Sequence, residues 1–321
     1  MRRNAVAAGI LFSLAALRPG AQAQVQAPKD HAIVLPKEAL VRHLKDMDAK
    51  QLESLRLVEG GKYNVNLRRI KAAASGVVDP VTANLWVVLE GSGTLTTGGV
   101  LEAGRIDGGR TRPIKTGDVV YIPSGLPHGV SGNVTWLNVR WDTDWPAGSP
   151  MGAGTLTGLT GLTGLTGDTS APRTAAAPPP RVPLPVGSQQ ALPYSYGGSG
   201  EAFFAKEALE QVMAGMRLRK SGNTRLVEGG RYNINLRWNG TPSMEIHEQT
   251  FDTWFVLAGK ATVNTGNQVV DGKRVANTGV FNPAKPGDVF FIPSSFHHGY
   301  SEVSPDVFWL NIRWDDNYKK D

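Results

Sequence analysis

Arg56–Arg68 reads RLVEGGKYNVNLR, and Arg225–Arg237 reads RLVEGGRYNINLR. Thirteen positions in near-perfect register, 169 residues apart, mark an internal duplication. Other segments keep the same offset to within a few residues. Lys37-Glu38-Ala39-Leu40 recurs as Lys206-Glu207-Ala208-Leu209, and Gly117-Asp118-Val119 as Gly287-Asp288-Val289. WLNVRWD from Trp136 recurs as WLNIRWD from Trp309. The chain therefore carries two copies of one domain, expected at residues 33–145 and 201–318.

Local patterning gives the class of that domain. Tyr232–Arg237 alternates strictly, so Asn233, Asn235 and Arg237 share one strand face. Trp309–Trp314 alternates in the same way, while Trp254–Leu257 and Val289–Ile292 read as buried strands. Gly259, Gly266, Gly272, Pro286-Gly287 and Pro293 punctuate them. Many short strands with regular turns imply an all-β sandwich or barrel. Each copy opens with a helical spacing instead: Leu40, His43, Leu44 and Met47, then Leu209, Val212, Met213 and Met216.

Between the copies, residues 146–200 hold LTG triplets and an Ala/Pro-rich run around Pro178-Pro179-Pro180. Such composition cannot bury a core and reads as a spacer. Residues 1–23 read as a secretory signal peptide: Arg2 and Arg3, the apolar run Ala5–Leu17, then Ala21-Gln22-Ala23. The run is shorter than the roughly 20 residues a membrane span needs. Cleavage would remove Arg2, Arg3 and Arg18 and lower the formal charge from +6 to +3. The mature protein is thus expected in the periplasm or outside the cell, free of the membrane. No basic cluster with interleaved aromatics points to nucleic acid. The absence of Cys excludes disulfides, thiol catalysis, iron–sulfur clusters and Cys-based zinc sites. There is no phosphate-binding glycine loop, nucleophile elbow or H-E-x-x-H pair.

The two copies resemble the cupin superfamily, whose motifs read G-x5-H-x-H-x(3,4)-E-x6-G and G-x5-P-x-G-x2-H-x3-N. Counting back from Gly259 in the second copy, Asp252 takes the glutamate position, His247 the second histidine and Glu245 the first. Gly287–His298 carries the second motif, with His298 at its histidine, Ser295 where the family has Gly and Glu302 where it has Asn. The resemblance implies tandem double-stranded β-helix (jelly-roll) barrels, each preceded by a short helix. It also implies one divalent transition metal (Mn, Fe, Ni, Cu or Zn) held by Glu245, His247, Asp252 and His298. The first copy has Val77, Asp79, Asn84 and His128 at the matching positions, a poor set for a transition metal. His128 is then a vestigial pocket residue.

Residue chemistry points the same way. Positions i and i+2 of a strand share a side, so Glu245 and His247 can converge, and two imidazoles with two carboxylates suit such a cation. Only one of His297 and His298 can face inward by alternation, and the motif spacing selects His298. Glu248 is the expected proton carrier. Trp254, His297 and Tyr300 are the expected substrate contacts. Asn235, Arg237, Asn311 and Arg313 recur in both copies, which favours a shared structural role such as Arg–carboxylate pairing. His31 and His43 fall outside both motifs.

Three functions fit: a metal-dependent oxidoreductase, dioxygenase-like, acting on a small oxygenated molecule; a non-catalytic periplasmic binding protein for a sugar or other small molecule; or a metal-dependent isomerase or lyase. A homo-oligomer is compatible with each.

Overall fold

The computed structural model describes residues 26–143, 194–195, 200–229, 231–238, 243–270, 273–275 and 278–315. The expected signal segment and almost all of the spacer lie outside them. The first copy runs β1 (Ile33–Leu35), α1 (Lys37–Ala49), β2 (Ser54–Glu59), β3 (Tyr63–Ile70), β4 (Thr82–Thr97), β5 (Val100–Glu102), β6 (Arg105–Asp107), β7 (Arg110–Lys115), β8 (Val119–Ile122) and β9 (His128–Asp142). After β10 (Tyr194–Ser195), the second runs β11 (Ala202–Phe204), α2 (Lys206–Arg219), β12 (Asn223–Glu228), β13 (Tyr232–Trp238), β14 (Ser243–Glu245), β15 (Thr250–Ala258) and β16 (Ala261–Thr265). It closes with β17 (Val269–Val270), β18 (Lys273–Arg274), β19 (Val280–Ala284), β20 (Val289–Ile292), β21 (His298–Ser301) and β22 (Phe308–Asp315).

The repeated strands pair alike in both copies. β3 pairs antiparallel with β9, matching Asn66 to Asn138 and Arg68 to Trp136. β13 pairs with β22, matching Asn235 to Asn311 and Arg237 to Trp309. The alternation expected of these strands sorts two environments. Trp86, Val88, Val120, Ile122 and Trp136 pack inside the first barrel, and Trp254, Val256, Phe290, Ile292 and Trp309 inside the second. Asn66, Arg68 and Arg140 have the inward parity, as do Asn235, Arg237 and Arg313. The opposite faces, with Val65, Leu67 and Val139 on one side and Ile234, Leu236 and Ile312 on the other, meet in one cluster spanning both copies. Trp141 stacks on Trp314 at 6.1 Å there, and the Tyr121 and Tyr232 hydroxyls hydrogen-bond.

The arms are exchanged between the barrels. β1 pairs with β20 of the second copy, and β11 pairs with β8 of the first. The Gly-Asp-Val repeat explains how the arms are fastened. Neither helix has a side-chain cap of its own, since Pro36 and Ala205 occupy the cap positions. The Lys37 amide donates instead to Asp288 Oδ1 at 2.7 Å, and the Lys206 amide to Asp118 Oδ1 at 2.9 Å. Each helix start is therefore capped by the opposite barrel, in the way an N-cap carboxylate satisfies free helical amides. Each short helix precedes its own barrel in sequence and is anchored on the other. The apolar helix faces are buried as expected: α1 through Leu40, Leu44 and Met47, α2 through Leu209 and Met216. Among the described residues, no helix is long and apolar enough to cross a membrane.

Candidate metal centre

Glu245 ends β14, directly opposite His298, which begins β21. His247 follows two residues later in the turn to β15, where its carbonyl accepts the Ser295 amide at 2.7 Å. This ties the first-motif residues to the turn that presents His298. Ser295 holds φ of 59°, and Gly125, its counterpart in the first copy, 76°. The left-handed turn is kept even where glycine is replaced.

The side chains converge. Ligand atoms of Glu245, His247 and His298 all lie within 4.8 Å of one another. Glu245 Oε2 is 3.1 Å from His247 Nε2. His298 is 1% exposed, and its Nδ1 donates to the Phe296 carbonyl at 2.7 Å. That bond leaves the Nε2 lone pair free, and Nε2 is buried with no hydrogen-bond partner among the described residues. His247 Nε2 lies 2.6 Å from Arg313 Nη2. A guanidinium only donates, so this imidazole nitrogen is also an acceptor. The His298 lone pair and a Glu245 oxygen thus face a common centre, and the His247 lone pair, taken here by Arg313, would join them if a cation displaced that guanidinium.

Asp252 stands beside this triad, held in another way. Its Oδ2 is 3.5 Å from His247 Nε2 and 3.4 Å from His298 Nε2. Its Oδ1 accepts from Arg313 Nε at 2.7 Å and from Asn311 Nδ2 at 3.2 Å. Its Oδ2 also accepts from Arg313 Nη2 at 3.4 Å, so Arg313 holds both Asp252 oxygens, Oδ1 the more closely. Arg237 donates to Glu245 Oε1 at 2.9 Å, leaving Oε2 for the centre. Burial pushes both carboxyls up. For Glu245 the His247 contact and Arg237 outweigh it, and for Asp252 the Arg313 charge does, so both remain ionised well below the usual carboxylate range. With Arg237 and Arg313 the cluster is formally neutral before any cation enters.

The other expected site residues are spread around this core. Trp254 is buried and meets His298 edge-on at 5.4 Å. Tyr300 is buried, 4.9 Å from Trp309 between ring centroids. His297 is half-buried, with its carbonyl accepting the Gly266 amide. Glu248 is exposed, and its carbonyl takes the Ser295 hydroxyl at 3.1 Å. Arg313 is the residue whose part at the centre motif matching did not reveal. Its recurrence in both copies signalled the Arg–carboxylate pairing, but not the contact with His247.

The first copy repeats the frame with different chemistry. Val77 pairs with His128 as Glu245 does with His298, and the Gly125 amide donates to the Asp79 carbonyl as Ser295 does to His247. Asp79 is 2.8 Å from Arg140 Nη2, accepts from Asn84 at 3.0 Å, and lies 3.9 Å from His128 Nε2. Among the described residues no ligand group of three forms there.

No family model matches the chain, and no curated protein does. Solved structures do. Salicylate 1,2-dioxygenase from Pseudaminobacter salicylatoxidans is similar at 14% identity and a TM-score of 0.52, covering 90% of this chain and 86% of that one. A cupin 2 conserved barrel domain protein from Leptotrichia buccalis is similar at 11% identity and a TM-score of 0.42, covering 82% and 88%. A mutant of oxalate decarboxylase from Bacillus subtilis is similar at 16% identity and a TM-score of 0.41, covering 91% and 74%. The fold is the all-β cupin fold, and this chain is built of two such barrels in tandem.

Proposed function

We propose that the C-terminal barrel holds one divalent transition metal through Glu245, His247 and His298, with Asp252 beside it, and that the protein is an exported oxidoreductase acting on a small oxygenated organic acid. The observation that carries the reading is the bare Nε2 of His298, buried at a point where two other donor atoms converge. A cation bound there would supply Lewis acidity or a redox centre with positions left for substrate.

The protein's own groups prepare the centre. Phe296 fixes the His298 tautomer, and Arg237 turns Glu245 so that one oxygen remains free. Arg313 keeps Asp252 ionised and contacts His247. Since the side chains sum to zero charge, a loaded centre carries about two positive charges, which favours an anionic substrate such as a carboxylate. Trp254 and the barrel interior around it exclude water on the inner side. Glu245 is the ligand with solvent access, so substrate would approach past it. Oxidative chemistry is favoured over the isomerase or lyase reading by the salicylate dioxygenase neighbour, a likeness of fold.

Metal analysis of protein purified from its native compartment tests the first half. About one equivalent per chain is expected, falling to nearly none in His247→Ala and His298→Ala. Equal metal in wild type and both variants would overturn the reading. Oxygen uptake over a panel of phenolic and aliphatic acids tests the second half, and turnover without oxygen consumption would favour the isomerase or lyase alternative.

A further inference from the structure

We propose that the N-terminal barrel is a receptor for a small organic carboxylate, bound by Arg68 and Arg140 where the C-terminal barrel gathers its metal ligands. The duplication supplies the control. Arg68 corresponds to Arg237 and Arg140 to Arg313, each at the same register in paired strands. In the second copy both guanidinium groups are neutralised, Arg237 by Glu245 and Arg313 by Asp252. In the first copy the residue at the Glu245 position is Val77, and the residue at the Asp252 position is Asn84.

The arginines remain while two of their carboxylates are gone. Asp79 replaces one of them and is committed to Arg140 and to the Asn84 amide. The Arg68 side chain has no hydrogen-bond or ion-pair partner among the described residues. Arg140 Nε is buried with none. Exposed Glu53 is near enough to act on Arg68 by charge alone, as is Asp79, and neither touches it. Arg56, on the neighbouring strand, is already paired with Glu59. The site thus keeps one surplus positive charge, half-buried on the lumen side of β3. Burial and the Arg140 charge both push Arg68 below the guanidinium range.

A half-buried guanidinium without a counter-ion is costly unless an anion completes it. A carboxylate matches the planar fork of two N–H donors. The neighbouring wall is aromatic: Trp136 lies opposite Arg68 in the sheet, with Trp86 tilted against it at 4.7 Å between ring centroids. An organic acid would place its carboxylate on Arg68. Val77 is 46% exposed and Arg68 only half-buried, so the guanidinium keeps contact with solvent. None of this depends on a metal in the other barrel.

The test is calorimetric titration of the full chain with benzoate, and with acetate as the smaller probe, before and after chelator treatment. One benzoate per chain is expected, unaffected by chelation. Arg68→Ala should weaken it by about tenfold or more, the worth of a charge-assisted hydrogen bond. Val77→Glu should do the same by supplying the carboxylate that Glu245 gives Arg237, and it is expected to fold at least as well as wild type. Three results would each overturn the proposal: binding abolished by chelator, binding untouched by Val77→Glu, or sulfate competing as well as benzoate. Absence of benzoate and acetate binding at millimolar concentration would overturn it too. Failure of the metal assignment would leave all these outcomes unchanged.

Discussion

At the scale of single residues, the two barrels are a natural experiment on one buried arginine. Arg313 takes its counter-charge from Asp252 within the same sheet, while Arg140 takes it from Asp79 in the turn. Asp252→Asn alone would leave buried Arg313 with only its 3.8 Å contact to Glu245 Oε2. The expected loss is about 3 kcal/mol, read by urea denaturation. Adding His247→Asp to that variant reproduces the first copy's pair, Asp79 with Asn84, and should recover most of the loss while abolishing metal binding. A double variant no more stable than Asp252→Asn would mean that Arg313 is balanced by something else. The candidate ligand residues were legible because strand alternation and motif spacing depend on nothing distant: Glu245, His247 and His298 all converge where the count placed them. Arg68 was not legible as unusual. Its sequence context is the same as that of Arg237, and only the pairing of Val77 against His128 reveals that its partner is missing.

At the scale of elements, each helix begins on one barrel and ends on the other. α1 starts against Asp288 and Lys285, and its last turn is joined by Asp48 to Arg69 and Lys71 of the first barrel. α2 starts against Asp118 and Lys115, and Arg217 near its end lies over the Phe308 ring of the second. Asp118 and Asp288 are each 2% exposed and accept two amides, one closing their own turn and one capping the visiting helix. Replacing either by Ala should cost about 2 kcal/mol in chemical denaturation, from the lost cap and a second unsatisfied buried amide. Asn should cost less, since it keeps the geometry and loses the charge. If Asp118→Ala and Asp288→Ala melt like wild type, the cross-barrel caps contribute nothing. The helices themselves were readable from apolar spacing, but their destinations were not. Lys37 could dock on Asp118 or on Asp288 with the same local chemistry, because both copies carry the same Gly-Asp-Val turn. Repetition, the clearest signal in the chain, is what makes the partner choice ambiguous.

At the scale of the whole molecule, the exchange makes the second copy part of the first copy's fold. β1 completes the sheet of the C-terminal barrel and β11 that of the N-terminal barrel, while the aromatic seam of Tyr63, Trp141, Tyr232 and Trp314 draws on both. The seam is formed by the Val, Leu and Ile faces of the repeated strands, so separating the copies would expose the largest apolar cluster described. The spacer must therefore span the copies, but it need not hold them together. Cutting the protein within residues 146–193, by a protease site inserted among the LTG triplets, should leave two fragments that elute as one particle of the original size. The fragments should separate only in denaturant, and neither should refold alone to a cooperative melt. The cut protein should also keep its metal, since Glu245, His247 and His298 all come from the second copy, whereas β20, which leads into the turn bearing His298, is flanked by β1 from the first. A stable C-terminal fragment, folded and metal-loaded without its partner, would show that the arms decorate two independent barrels. Loss of metal on separating the fragments would instead place β1 among the elements that hold the His298 turn in position, and would make the degenerate barrel a structural requirement of the intact site.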